Sequence, residues 1–267
     1  MKTAIIAGRG GLPAALVAAM DAPFVAALQG FVPDGVRVDQ TFRVERLVPF
    51  LRGLEDAGIT RVVFGGAVTR PRLEPALFDA DTAQLVPQLM AAMQGGDDAT
   101  LRAVLGIFEG FGFTVVGVRD VAPGLVPGPG FLAGHASDAD HLDAARAAAI
   151  VAALGAVDVG QGCVVQQGLC LAVEALPGTD AMLAGVAGLG GLRPDAARGR
   201  GLFYKAPKPG QDMRVDLPAI GPDTVQAVVS AGLGGIVWAA GGVICLDQPQ
   251  MIALADQAGI FLWARGP

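Results

Sequence analysis

Thr3-Ala-Ile-Ile-Ala7-Gly-Arg-Gly-Gly-Leu-Pro13 is the stretch on which the reading of this chain turns. Thr3–Ala7 is almost continuously apolar, the pattern of a strand buried on both faces. The glycines that follow end it, and Pro13 suits the first turn of a helix running from about Leu12 to Met20. The same grain continues outward. Pro23–Leu28 reads as a second strand, and Glu45–Ala57 as a helix with Pro49 in its first turn. Arg61–Phe64 is a third strand, ending at Gly65-Gly66. Helices over about Thr82–Met93 and Asp98–Gly110 precede a strand over Phe113–Val118. Strands alternating with helices predict an α/β fold with a parallel sheet covered on both faces, a Rossmann-like domain over residues 1–130.

Arg119–Ser137 is rich in Gly and Pro and is read as the linker. Beyond it the grain changes. Ser137 with Asp138 and Asp140 opens a helix to about Leu154. Cys163–Gln166 and Leu169–Ala175 form a hairpin closing at Gln167-Gly168, and Thr179 caps a helix to about Val186. A charged loop follows. After it come a helix near Asp223–Ala231, strands near Ile236–Ala239 and Val243–Leu246, a helix near Pro249–Ala258 and a last strand, Ile260–Trp263. Residues 131–267 are therefore expected to form a mixed α/β domain.

Composition excludes several classes of function. The 267 residues are 52% apolar, ample for a core, with a net charge of −6 and no long basic run. Non-specific nucleic-acid binding, which rests on clustered Lys and Arg, is not expected. Thr224–Leu246 carries no charge over 23 residues, enough to span a bilayer, but its Gly-Gly pairs divide it into short elements. Cys163, Cys170 and Cys245 form no C-x-x-C pair and read as buried free thiols in a reducing compartment. The opening residues run straight into a strand, without the apolar core of a signal peptide, so a cytoplasmic protein is expected.

Chemistry concentrates in Lys205-Ala-Pro-Lys-Pro-Gly-Gln-Asp-Met-Arg-Val-Asp216. Five of these twelve residues are charged in a chain where 16% are. Cations beside carboxylates on a stiff loop suit phosphate: Lys and Arg for the oxygens, a carboxylate for a metal or a water. The Gly8–Pro13 turn could meet a phosphate at a helix N-terminus. It lacks the Gly-Lys-Ser/Thr of a Walker loop, and Gln29-Gly30 stands where a dinucleotide fold places its ribose-binding acid. Gly66, Thr69 and Arg70 leave the third strand at the sheet edge where ligands bind in open α/β folds. Asp97 and Asp98 either complement a helix start or hold ribose hydroxyls or a Mg²⁺ ion. Glu174 lies in an apolar segment, where a charge needs a partner. His135 and His141 have neither the spacing nor the cysteines of a zinc site.

Taken together, these segments resemble the UDP-2,3-diacylglucosamine diphosphatase family of lipid A biosynthesis, the one without a metallophosphatase fold. Lys205-Ala-Pro-Lys-Pro-x-Gln211-Asp-x-Arg214-Val-Asp216-Leu-Pro218-x-Ile-Gly221 carries most of the resemblance. Asp158-Val-Gly-Gln161-Gly162, Glu174-Ala-x-x-Gly178-Thr179-Asp180-Ala-Met182, Gly66-x-Val-x-Arg70-Pro71 and Gly96-Asp97-Asp98-x-x-Leu-Arg102 add to it. One departure is Arg9, where the family is Gly-rich. The resemblance implies two domains with the substrate between them. It also implies hydrolysis of UDP-2,3-diacylglucosamine to lipid X and UMP, with Mg²⁺ or a similar divalent ion and water directed at the phosphorus nearer the sugar. By the same resemblance, Asp216 is the essential carboxylate, with Asp98 a second metal ligand, and Lys205, Lys208 and Arg214 clamp phosphoryl oxygens while Gln211 positions water or sugar. Gly8, Gly10, Gly66, Thr69 and Arg70 would hold the UMP half, and Asp97, Gln161, Glu174, Gly178, Thr179 and Asp180 complete the substrate site. The expected partner is a lipid-linked UDP-sugar, with peripheral contact to the cytoplasmic face of the inner membrane and a homodimer as the candidate assembly. A UDP-sugar transferase and a non-catalytic nucleotide or lipid sensor are the competing readings. Release of UMP separates the first from a hydrolase, and metal-dependent turnover separates the second.

Overall fold

The computed structural model describes residues 1–69, 71–94 and 97–266, with the backbone alone at 97 and 98. The chain divides into two compact units, Met1–Pro123 and Gly124–Pro267.

In the first unit the elements run β1 (Lys2–Ala7), α1 (Leu12–Ala19), β2 (Phe24–Leu28), β3 (Gln40–Phe42), α2 (Leu47–Asp56) and β4 (Ile59–Gly65). They continue with α3 (Ala80–Ala83), α4 (Val86–Gln94), α5 (Asp97–Gly110), β5 (Thr114–Val116) and α6 (Val118–Val121). All five strands are parallel, in the order β3-β2-β1-β4-β5. This is the doubly wound order, in which the chain reverses its direction across the sheet between β1 and β4. Ile5, Val62, Val63, Leu16, Leu51 and Leu54 are fully buried, as expected of strands and helix faces enclosed on both sides.

The second unit comprises β6 (Gly130–Ala133), α7 (Asp138–Ala156), β7 (Gly162–Gln166), β8 (Leu169–Val173), α8 (Gly178–Ala187) and β9 (Leu202–Lys205). After these come β10 (Ala219–Ile220), α9 (Pro222–Ser230), β11 (Gly235–Ala239), β12 (Ile244–Cys245), α10 (Gln248–Ala258) and β13 (Phe261–Arg265). Its six-stranded sheet has the order β6-β13-β11-β9-β7-β8, parallel through β13, β11 and β9 and antiparallel at both ends. Alternation along the strands sorts side chains into two cores. Phe203, Ile236 and Trp238 pack with α8, α9 and α10 on one face. Leu202, Tyr204 and Val237 pack with α7 on the other. A parallel two-stranded ladder of β10 and β12 completes the unit.

Several boundaries differ from the expectations, each for a physical reason. Pro87 cannot sit inside a helix without loss of a backbone hydrogen bond, so the helix expected over Thr82–Met93 breaks into α3 and α4. The Gly/Pro-rich stretch is not all linker, because Gly130–Ala133 pairs with β13 as an edge strand. β3, β9 and β10 were not expected; all are short, and β9 is a four-residue strand ending in a lysine. Thr179 does not cap α8, which begins one residue earlier at Gly178 after Pro177. Cys163 and Cys245 are buried, whereas Cys170 is exposed because β8 is an edge strand. The Ser137 cap forms as expected, with its hydroxyl and the Asp140 carboxylate making a reciprocal capping box. The hairpin turn also forms as expected, with Gln167 and Gly168 both at positive φ. Among the described residues no helix is long and apolar enough to cross a membrane, and Thr224–Leu246 divides into α9, β11 and β12.

Candidate active site

Lys205 is the last residue of β9, so the charged loop starts from the middle of the second sheet. Lys205 pairs with Trp238 of β11 on one side and Gly162 of β7 on the other. Pleat parity puts its side chain on the α8 face, with Phe203. There the ammonium donates to Glu174 Oε1 and Oε2 at 3.0 and 2.9 Å and to Thr179 Oγ1 at 2.6 Å. The side chains of the pair are 6% and 13% exposed. Three donors with three acceptors complete the hydrogen-bonding capacity of an ammonium group. Lys205 is thus engaged as the anchor of the β8–α8 loop.

Glycine makes that anchoring possible. A Cβ on Gly160 would lie 2.0 Å from Glu174 O, and one on Gly162 would lie 2.7 Å from Glu174 Oε2. Glu174 N donates to Gly162 O at 2.8 Å. The spacing Asp158-Val-Gly-Gln-Gly is thus the footprint of a close backbone approach.

Gln211 is the hub of the loop. Its Oε1 accepts from Lys208 N and from Gln161 Nε2, both at 2.9 Å. Its Nε2 donates to Asp216 Oδ2 at 3.0 Å and to the Asp216 carbonyl. Asp216 is exposed and sits at φ 56°, a left-handed conformation that an L-residue holds at some cost. Asp158 shares that conformation at φ 57° and accepts from Lys208 Nζ through Oδ1 at 2.5 Å. Arg214 donates to Asp212, with Nε 3.0 Å from Oδ1 and a terminal guanidinium nitrogen 2.7 Å from Oδ2.

Each expected phosphate cation therefore has its own carboxylate. The pairs differ in burial. Lys205–Glu174 is closed from solvent, whereas Lys208–Asp158 is 31% and 74% exposed. Exposed pairs are worth about 0–1 kcal/mol, so Lys208 can leave Asp158 for a better anion at little cost. Asp158 was not among the expected site residues. Its signal was its place in the motif before Gly160.

Of the remaining expected residues in this unit, Gly178, at φ 85°, and the exposed Asp180 stand at the start of α8. Lys205, Lys208, Gln211, Asp216, Gln161, Glu174 and Thr179 come together at one edge of the sheet. His141 packs edge-on against Trp263 at 4.5 Å, away from this edge. Among the described residues no three of His, Cys, Asp and Glu stand close enough to hold a metal ion by themselves.

In the first unit, Gly8 and Gly66 face each other at the switch point. Arg9 N donates to Ala67 O at 2.9 Å and Ala67 N to Arg9 O at 2.8 Å, zipping the two loops. A Cβ on Gly8 would lie 2.6 Å from Ala67 O, and one on Gly66 2.7 Å from Arg9 O. These two glycines are required by the loop pairing itself. Gly10, at φ 94°, has open space around it, and Thr69 is exposed. Arg9 donates to Gly30 O at 2.6 Å and stacks over the Phe31 ring at 5.3 Å. It thus braces the β1 loop against the loop after β2. Arg70 and the side chains of Asp97 and Asp98 lie outside the described residues.

A doubly wound parallel unit and a mixed unit with a cation–carboxylate edge define a two-domain α/β protein, and the match to family models is specific. Residues 2–125 match the LpxI N-terminal domain and residues 128–263 the LpxI C-terminal domain, so the chain belongs to the LpxI family. One relative is the UDP-2,3-diacylglucosamine pyrophosphatase LpxI of Caulobacter vibrioides. It is 37% identical over 278 residues, an alignment covering all of this chain and 98% of the relative.

Proposed function

We propose that this chain hydrolyses the diphosphate bond of UDP-2,3-diacylglucosamine to 2,3-diacylglucosamine 1-phosphate and UMP in lipid A synthesis. The observation that carries the reading is the Gln211 hub, which holds Lys208, Gln161 and Asp216 in one hydrogen-bonded frame. Water adds across the bridge: one phosphorus–oxygen bond forms, one breaks, and the two protons of water end on the product phosphates or on solvent. Lys208 and Arg214 supply positive charge to the phosphoryl oxygens as charge builds on the leaving oxygen. Asp216 orients the attacking water or carries a divalent ion, and its left-handed backbone turns the carboxylate back towards Gln211. Lys205 acts as a positioning residue through Glu174 and Thr179. Gly178 and Asp180 at the start of α8 face the sugar. The β1 and β4 loops, with Gly10, Thr69 and Arg70, take the UMP half, while Gly8 and Gly66 shape those loops.

The residues fit Mg²⁺ in one way. That ion commonly takes one or two protein carboxylates and completes its shell with phosphate oxygens and water, and Asp216 is such a carboxylate. Asp98 is the expected second ligand. Bound there, the ion would offset charge on the diphosphate. Peripheral contact with the cytoplasmic face of the inner membrane and a homodimer belong to the same reading; sedimentation of the purified chain tests the dimer.

The test is incubation with UDP-2,3-diacylglucosamine with and without Mg²⁺ in ¹⁸O-water. Lipid X carrying the label, with unlabelled UMP, is expected. Loss of one transition-state contact costs roughly 10²–10³ in turnover, and Asp216→Ala and Asp216→Gly should both show it. Glycine accepts positive φ freely, so Asp216→Gly should keep the wild-type melting temperature while Asp216→Ala lowers it. Release of UDP, or near-normal hydrolysis by either variant, would overturn the reading.

A further inference from the structure

The C-terminal turn of α7 breaks two local rules at once. The helix ends in a Schellman motif, with Asp158 N donating to Gly155 O at 3.1 Å and Val159 N to Leu154 O at 3.0 Å. The left-handed position of that motif usually goes to glycine, yet Asp158 occupies it at φ 57°. Within a helix glycine is a poorer former than alanine, yet Gly155 stands inside α7, which is otherwise rich in alanine. Gly155 has ordinary helical backbone, which every L-residue adopts, so its own conformation does not call for glycine.

Lys208 accounts for both departures. Asp158 accepts from its ammonium through Oδ1. Gly155 makes room for its main chain: a Cβ there would lie 2.7 Å from Pro209 Cδ, 3.3 Å from Lys208 Cα and 3.5 Å from Lys208 Cβ. Pro209 Cδ is bonded to the backbone nitrogen, so it cannot swing aside as the tip of a long side chain would. Ordinary contact begins at 3.4 Å, so a methyl group at 155 would push the Lys208-Pro209 main chain and the helix end apart by about 0.7 Å. Pro207 packs in the same manner, its Cδ 3.0 Å from where a Cβ on Gly242 would lie. Lys208 N donates to Gln211 Oε1 at 2.9 Å, so a shift of this main chain reaches the hub that holds Asp216. We propose that Gly155 is a positioning residue. Its missing side chain seats Lys208-Pro209 on the end of α7, at the height from which Lys208 meets the phosphoryl oxygens and Gln211 holds Asp216. The inference rests on the hydrolase reading and adds to it a buried residue that acts only through the loop above it.

Gly155→Ala, Pro209→Ala and the double variant of the full chain test the seat, by urea unfolding read through tryptophan emission and by hydrolysis of UDP-2,3-diacylglucosamine. In the Pro209→Ala background the ring is gone, and alanine at 155 should raise the midpoint by up to about 0.5 M through helix propensity. In the wild-type background it should lower the midpoint by about 0.5 M, because overpacking outweighs that gain. For Gly155→Ala, kcat should fall roughly 10–100-fold with KM within about threefold of wild type, since misplacement by about 1 Å costs up to about 10² in rate. In the Pro209→Ala background the same substitution should lower kcat by less than about threefold. The seat is refuted if alanine at 155 raises the midpoint equally in both backgrounds, or if it lowers kcat equally in both. It is also refuted if Gly155→Ala keeps kcat within about twofold of wild type. If wild type does not hydrolyse the substrate, the hydrolase reading fails, and opposite signs of the two midpoint shifts leave the seat standing.

Discussion

Replacing Lys205 with methionine separates an anchoring lysine from a phosphate-binding one. In the folded protein its ammonium makes three hydrogen bonds to two acceptor groups, and the pair is almost closed from water. Lys205→Met keeps most of the side-chain volume but leaves the Glu174 carboxylate without its counter-charge. Breaking a buried pair in this way costs about 3–5 kcal/mol. The Glu174 side chain keeps 13% exposure to water, so the low end of that range, about 3 kcal/mol, is the expected loss. Replacing both partners by apolar groups, as in Lys205→Met/Glu174→Leu, should recover most of it, because the desolvation of both charges is removed together.

The assay is urea unfolding followed by tryptophan emission. Both tryptophans, Trp238 and Trp263, lie in the second unit, so the signal reports that unit alone. With a slope of about 2 kcal/mol/M, the single variant should unfold about 1.5 M urea earlier than wild type. The double variant should unfold close to wild type, with turnover reduced by much less than the roughly 10²–10³ that loss of a phosphate contact costs. Two results would refute the reasoning. A single variant with the wild-type midpoint would mean that Glu174 does not depend on Lys205. A stable double variant with turnover down roughly 10²–10³ would return Lys205 to the phosphate clamp.

Two further outcomes follow from the protonation behaviour of buried groups. Burial alone would raise the Glu45 carboxyl, but hydrogen bonds from the backbone N–H groups of Glu74 and of Glu45 itself, together with Arg43, outweigh it and hold it below its ordinary value. A carboxyl lowered by folding contributes stability that is full above the unfolded value of about 4.5 and is lost as pH falls through the folded one. Protection factors of β1 and α2 amides, corrected for the intrinsic exchange rate at each pH, should therefore fall below that value, and Glu45→Gln should flatten the dependence; pH-independent wild-type protection factors would contradict it. Burial pushes the Cys163 and Cys245 thiols up to about 12, whereas Cys170 lies exposed on the edge strand. A thiol-reactive dye at pH 8 should modify one thiol of the native chain and none of the Cys170→Ser variant, and a second native thiol reacting would place Cys163 or Cys245 wrongly.

Much of the fold was legible because strand and helix periods differ and because Gly and Pro punctuate the chain. β1, β2, β4 and the β7–β8 hairpin were readable from apolar runs closed by turn residues. β9 was not: Leu-Phe-Tyr-Lys is short, and its terminal lysine reads as the start of a charged loop. Without β9 the register that sets Lys205 opposite Gly162 and within reach of Glu174 was not legible. Gly8 and Gly66 read as a phosphate cradle; that each loop's backbone also occupies the space a Cβ on the other would need was not legible along the chain.

The sequence by itself determined the class: alternating apolar strands and helices, a second half of different grain, and a motif from Lys205 to Gly221 that points to one family. It also singled out the residue types, cations and carboxylates on one stiff loop. Only the tertiary structure decided which cation belongs to which carboxylate. Lys205 finds Glu174 and Lys208 finds Asp158 because the sheet places β9 beside β7, with β8 ending on the far side of β7, far from it in sequence. Coulomb attraction depends on that distance in space and on burial, and neither can be read along a chain.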